Sequence, residues 1–117
     1  MAYEVEFTED FRAWYEDQLS ASEQKSVARV VAMLEQAGPT LPHPYSSGIA
    51  GSTVSHLREL RIQHEGRPFR VLYAFDPRRI ALLLLGGDKT GNDRWYEQAV
   101  PRADALYKQH LSSINTK

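Results

Sequence analysis

An α+β fold is predicted: an N-terminal strand, a helical hairpin, and a three-stranded antiparallel meander completing a four-stranded sheet, with a C-terminal helix. Three observations predict it. The 117 residues and 42% apolar content fit one domain, residues 1–117, and leave little room for a second. The first third of the chain carries apolar residues at helical spacing, and the middle carries three short apolar runs separated by turn residues. Strands that follow one another through tight turns pair as an antiparallel meander, and the helices must then cover its faces.

The elements follow in order. Tyr3, Val5 and Phe7 alternate with Glu4 and Glu6, the period of a half-buried strand. Thr8 can cap a helix whose first turn holds Glu9 and Asp10, favourable at the positive end of the dipole. Phe11, Trp14, Tyr15 and Leu19 make its apolar face. Ser20-Ala21-Ser22-Glu23 has the spacing of a capping box. Val27, Val30, Val31 and Leu34 continue as one stripe until Gly38-Pro39 stops the second helix. Both stripes are core. Residues 38–55 are rich in Pro, Gly and Ser, carry no charge and read as a long surface loop, a length that often serves function; His43 and Tyr45 lie in it.

The strands come next. Leu57 to Gln63 alternates, with Arg58, Leu60 and Ile62 on one face and Leu57, Glu59 and Arg61 on the other. His64 to Pro68 is the turn. Phe69 to Phe75 sets Phe69, Val71, Tyr73 and Phe75 against Arg70, Leu72 and Ala74, and Asp76-Pro77-Arg78 turns the chain again. Ile80 to Leu85 has no polar alternation and belongs inside the sheet, covered on both faces. Gly86 to Asn92 then forms a glycine-framed loop with Lys89 at its tip and Asp88 ordering it. Without the GxxxxGK[ST] order and the parallel strand context, this loop is not a nucleotide P-loop. Asn92 or Asp93 caps a last helix in which Tyr96, Ala99, Val100, Ala103, Leu106 or Tyr107, and Leu111 keep helical spacing, while Pro101 kinks it or starts a new one.

Composition narrows the function. No apolar run is long enough to span a bilayer, and the acidic start MAYEVEFTED is unlike a secretory signal, so a cytoplasmic location is expected. The chain has no cysteine, which removes disulfides, thiolate nucleophiles and cysteine-ligated zinc. His43, His56, His64 and His110 lack metal-ligand spacing, and no metal or cofactor is expected. The net charge of −1 conceals a polarised chain. Residues 1–37 hold eight acids against three bases, while residues 56–94 hold eight bases against five acids. Such asymmetry suits a face turned to a polyanion opposite an acidic face.

LRELRI, FRVLYAFDPRR, the leucine strand and GGDKTGNDRWYEQAVPRADALYKQHL, together with the opening strand and helical hairpin, resemble toxins of the RelE/ParE superfamily, in particular its phage-derived HigB-type branch. The resemblance covers nearly the whole chain and implies a RelE-like fold. It also implies a toxin of a type II toxin-antitoxin system, a ribosome-dependent endonuclease of messenger RNA that inhibits translation. The implied partners are the ribosome, its message and a cognate helix-turn-helix antitoxin, with DNA met only through the antitoxin complex and no membrane. The alternative within the superfamily is a ParE-like protein that poisons DNA gyrase by binding, without catalysis.

Metal-free RNA cleavage needs a base for the 2′-OH proton, positive charge on the scissile phosphate and an acid for the departing 5′-oxygen. Related toxins often meet these needs with arginine, lysine and tyrosine. Arg61 is assigned to phosphate, its other reading being an ion pair with Glu59. Arg70 stands on the neighbouring strand, so the two guanidiniums could share one anion. Lys89 is assigned to transition-state stabilisation. Tyr96 fits the core stripe and is the acid by analogy; Trp95 is the base stacker. Arg58 and Arg67 are weaker RNA contacts, since either can pair with Glu59 or Glu65. His64, in the turn, is an acid or base near neutral pH or else a solvated bystander.

Overall fold

The computed structural model describes residues 2–115. It consists of β1 (Val5–Phe7), α1 (Glu9–Ala13) running into a π-helical turn (Trp14–Gln18), α2 (Ala21–Ala37), a 3-10 turn (Gly38–Thr40), β2 (Ser46–Gly48), β3 (Arg58–His64), β4 (Arg67–Phe75), β5 (Ala81–Asp88) and α3 (Trp95–Ile114). The sheet has the order β1-β5-β4-β3-β2. β1 lies parallel to β5, and the other neighbours are antiparallel.

The α+β class and the meander are as expected, and the sheet has five strands where four were anticipated. The fifth, β2, lies inside the segment read as loop. Three residues without apolar alternation give no strand signal, and tertiary contacts supply what propensity does not. Ser46, only 1% exposed, has its hydroxyl 2.6 Å from the Tyr73 hydroxyl and accepts from Arg58 Nε at 2.9 Å. Further on, Asp104 of α3 accepts from Ser52 and Thr53 and ties residues 52–53 to the helix.

The caps of the first two helices hold as read, and the cap expected at Asn92 or Asp93 does not. Thr8 Oγ1 accepts from Phe11 N, and Ser20 and Glu23 form both halves of a capping box. α2 ends at Gly38, whose positive φ of 57° favours glycine and whose Cα lies directly under the Tyr3 ring. α3 runs through Pro101 as one helix, and its cap is Arg94 with no side-chain bond. Asn92 instead accepts from Arg94 N to form the turn before it.

β4 divides the core as its alternation requires. Phe69, Val71 and Tyr73 pack with Leu60, Ile62, Phe11 of α1, Trp14 of the π-helical turn and Val27, Val30 and Leu34 of α2. Leu72 and Ala74 pack with Leu82, Leu84 and the α3 residues Ala99, Val100, Ala103 and Leu106. Leu83 and Leu84 fall in opposite layers, so β5 is covered on both sides.

β5 departs from expectation in length. It continues through Gly86, Gly87 and Asp88, which pair with Val71, Arg70 and Phe69. The two glycines are strand residues because an indole ring occupies each face. A Cβ on Gly86 would lie 2.2 Å from Trp14, and one on Gly87 would lie 2.4 Å from Trp95 Nε1. Gly86→Ala therefore forces Trp14 or the strand to move. Overpacking of this kind costs about 1–3 kcal/mol, and thermal unfolding should show a lower Tm than wild type; an unchanged Tm would contradict this packing.

Two buried carboxylates fix the connections. Asp76 accepts from the backbone of Arg78 and Ile80, from the Arg78 guanidinium and from His110 Nε2. Burial opposes ionisation of Asp76 and of Asp104, yet these hydrogen bonds, and those from Ser52 and Thr53, outweigh it and hold both pKa values below the usual 3.8. On acidification the unfolded chain takes up protons first. The stabilisation is present above that ordinary value and is lost as pH falls through the lower folded values. Acid unfolding should accordingly have a limb that Asp104→Asn makes shallower; a limb of unchanged depth would contradict the linkage.

Candidate active site

The register of β3 and β4 sets Arg61 opposite Arg70. Glu59, two residues before Arg61, shares its face because side chains repeat every second residue along a strand. Arg61 Nη1 lies 3.2 Å from Glu59 Oε2, and Arg70 Nε lies 3.5 Å from Oε1. From the first turn of α3, Tyr96 donates its hydroxyl to Glu59 Oε1 at 2.5 Å. Lys89 Nζ stands 5.3 Å from the centre of the Tyr96 ring, a cation–π distance. A carboxylate, two guanidiniums, a phenol and an ammonium thus meet on the α3 side of the sheet.

Burial grades the cluster. Glu59 is 4% and Arg70 5% exposed, whereas the Arg61 side chain is 36% exposed and opens the group to solvent. Arg70 Nη1 donates to Phe69 O, but Nε has no hydrogen-bond acceptor among the described residues. At 3.5 Å the Glu59 charge attracts it without making that bond. A buried charged donor left in this state is unfavourable, and an oxygen anion reaching it would gain a charge-assisted bond. Burial pushes the Tyr96 phenol pKa up, the bond to Glu59 adds to the shift and Arg70 opposes it. Tyr96 therefore remains protonated through the neutral range and available to donate.

Local sequence explains the placement. Asp88 accepts from the amide and hydroxyl of Thr90, and Lys89 N donates to Pro68 O, so β5 leaves the sheet in one fixed direction. Trp95 lies on bare Gly87, which lets α3 begin close to the sheet and carries Tyr96 over Glu59.

Arg61, Arg70, Lys89 and Tyr96 are brought together; the other candidates are not. Trp95, taken as the stacker, is 8% exposed and part of the core, while Tyr96, placed in the core stripe, reaches the site. The two are adjacent at a helix start where no periodicity decides which one faces inward. His64 ends β3 instead of lying in the turn. It is buried against α2, with Nδ1 2.7 Å from Ser26 Oγ and its ring stacked on Phe69. Arg58 lies on the opposite face and serves Ser46, not Glu59 or Glu65. Arg67 pairs with Glu23 and Asp88 and lies over the Phe69 ring, again away from the cluster. Glu59, by sequence alone only an ion-pair partner, is the carboxylate that the phenol and both guanidiniums contact. The available signal was an acid alternating with leucines in a strand between two arginines, at a position that folding buries.

The chain is similar to known proteins. The family profile described as phage derived protein Gp49-like matches residues 15–108. A Mycobacterium tuberculosis protein named toxin HigB3 is 43% identical over 96 residues, which is 81% of this chain and 82% of that one. Another from the same organism, named toxin HigB2, is 36% identical over 90 residues, 75% of this chain and 45% of that one. In fold, the chain is similar to Escherichia coli toxin RelE, solved in the free state as a double arginine-to-alanine mutant. The TM-score is 0.60 at 14% identity, over 87% of this chain and 98% of that one. No helix among the described residues is long and apolar enough to cross a membrane.

Proposed function

Because the chain belongs to the phage-derived Gp49-like family and is a RelE/HigB-type toxin of a toxin-antitoxin system, we propose that it cleaves messenger RNA on the ribosome through the Glu59 cluster. The observation that carries the reading is a buried carboxylate contacted at once by a phenol and two guanidiniums. Glu59 takes the proton of a ribose 2′-OH. The freed 2′-oxygen attacks the adjacent phosphorus, the P–O5′ bond breaks, and a 2′,3′-cyclic phosphate and a 5′-hydroxyl result. Arg70 and Arg61 neutralise the charge that grows on the phosphoryl oxygens, with Lys89 beside them. Tyr96, kept protonated by its surroundings, donates to the departing oxygen.

The order of events suits the resting contacts. Glu59 occupies the guanidiniums until a phosphate displaces it toward the ribose, and positioning of the message by the ribosome supplies the alignment. The family implies a cognate antitoxin as partner; we assign that partner to the helix-turn-helix class, with DNA reached only through it. Induced expression in a bacterial host, with methionine and thymidine incorporation followed together, tests the function. Methionine uptake should fall first. An early fall in thymidine uptake with messages intact would replace this reading with gyrase poisoning.

A further inference from the structure

A cavity of about 390 Å³ lies beside the cluster, between α2 and the part of β3 that β2 does not cover. β2 pairs only with Arg58 to Leu60, and Arg61 N then donates to Tyr45 O, so the chain before β2 forms one wall. Arg29 of α2, Arg61 and Arg70 line the cavity, and no carboxylate does. Arg29 is exposed and has no ion-pair partner among the described residues. Tyr45 is 40% exposed, one of two large apolar side chains so placed among the described residues. Arg70 is 95% buried, and its Nε has no hydrogen-bond acceptor among the described residues.

Glu59 faces Arg61 and Arg70 from outside the cavity and Arg29 has no ion-pair partner among the described residues, so three arginines share one carboxylate and the cavity calls for an anion. Their fork geometry favours phosphate oxygens. An exposed aromatic at the rim supplies what a single-stranded nucleic acid also needs, a flat face for a base. We infer that this cavity is a nucleotide subsite of the RNA, in which Arg29 contacts the phosphate next to the one held by Arg61 and Arg70 while Tyr45 stacks on the base. The inference rests on the RNA-cleaving reading of the neighbouring cluster. It adds Arg29 and Tyr45, which take no part in the bond-breaking step, as binding residues.

The test uses a fluorescein-labelled 2′-O-methyl tetraribonucleotide, which lacks the nucleophilic hydroxyl and binds without being cut, titrated at several salt concentrations. Arg29→Ala should weaken binding on the order of tenfold and reduce the slope of log K against log salt by about 0.7, the share of one single-strand phosphate contact. Tyr45→Ala should weaken binding by roughly 5- to 150-fold, the range for one stacked base, with the salt slope unchanged, and Tyr45→Phe should bind as wild type. Lys25→Ala, on the same helix outside the cavity, is the unaffected control. Wild-type affinity in both Arg29→Ala and Tyr45→Ala, or no binding by the wild type, would overturn the subsite. Loss confined to Arg70→Ala would overturn it too while leaving the cleavage reading intact. Binding as expected with no loss of messages in the host would uphold the subsite and defeat the cleavage reading alone.

Discussion

Glu59→Gln is expected to slow message cleavage by about 10²–10⁴-fold, the usual contribution of a positioned general base. Glutamine keeps the size of the side chain and an oxygen for the Tyr96 hydroxyl, but it cannot take the 2′-OH proton. It also leaves Arg61 and Arg70 without their counter-charge. Removing one partner of a buried ion pair typically costs about 3–5 kcal/mol, so Tm must be measured alongside the rate. Glu59→Asp separates the two effects, since it retains the charge while withdrawing the carboxylate by one methylene. It should recover most of the stability and only part of the rate. A folded Glu59→Gln protein that cuts at the wild-type rate would remove Glu59 from the chemistry.

Arg70→Ala is the second large effect. Losing one preorganised donor to the developing phosphoryl charge costs about 10²–10³-fold in rate, and toxicity in the host should disappear with it. Arg70 is the most buried cation of the cluster and the one with an unsatisfied donor, so it has most to give to an arriving anion. Arg70→Lys tests this directly: a lysine keeps the charge but loses the fork, and its rate should fall between wild type and alanine. Retained toxicity in a folded Arg70→Ala protein would defeat the assignment. The Lys89 side chain is partly exposed and rests over the Tyr96 ring, and its replacement should cost less than that of Arg70.

Much of this was legible because local signals and tertiary demands agreed. The capping residues Thr8 and Ser20, the alternation along β4 and the unbroken apolar run of β5 each named their element and its faces. β2 was not legible, since Ser46 is buried by contacts with Tyr73 and Arg58 that lie distant in sequence. Nor was the length of β5. Gly86 and Gly87 read as a turn from their conformational freedom, whereas they are glycine because Trp14 and Trp95 fill the space of a side chain. The face assignment of Arg61 and Arg70 followed from strand period alone. The exchange of Trp95 and Tyr96 did not, because it depends on how α3 docks on Gly87. Glu59 shows the remaining gap: a sequence places an acid on a face, but only packing buries it among its partners.

The most direct measurement is cleavage of a defined message on purified, programmed ribosomes by wild type and by Glu59→Gln, with both new ends analysed chemically. Cuts in the ribosome-bound message that leave a 2′,3′-cyclic phosphate and a 5′-hydroxyl are expected with wild type and nearly absent with Glu59→Gln. An intact message, or cleavage at the same rate and with the same ends by the folded variant, would contradict this expectation.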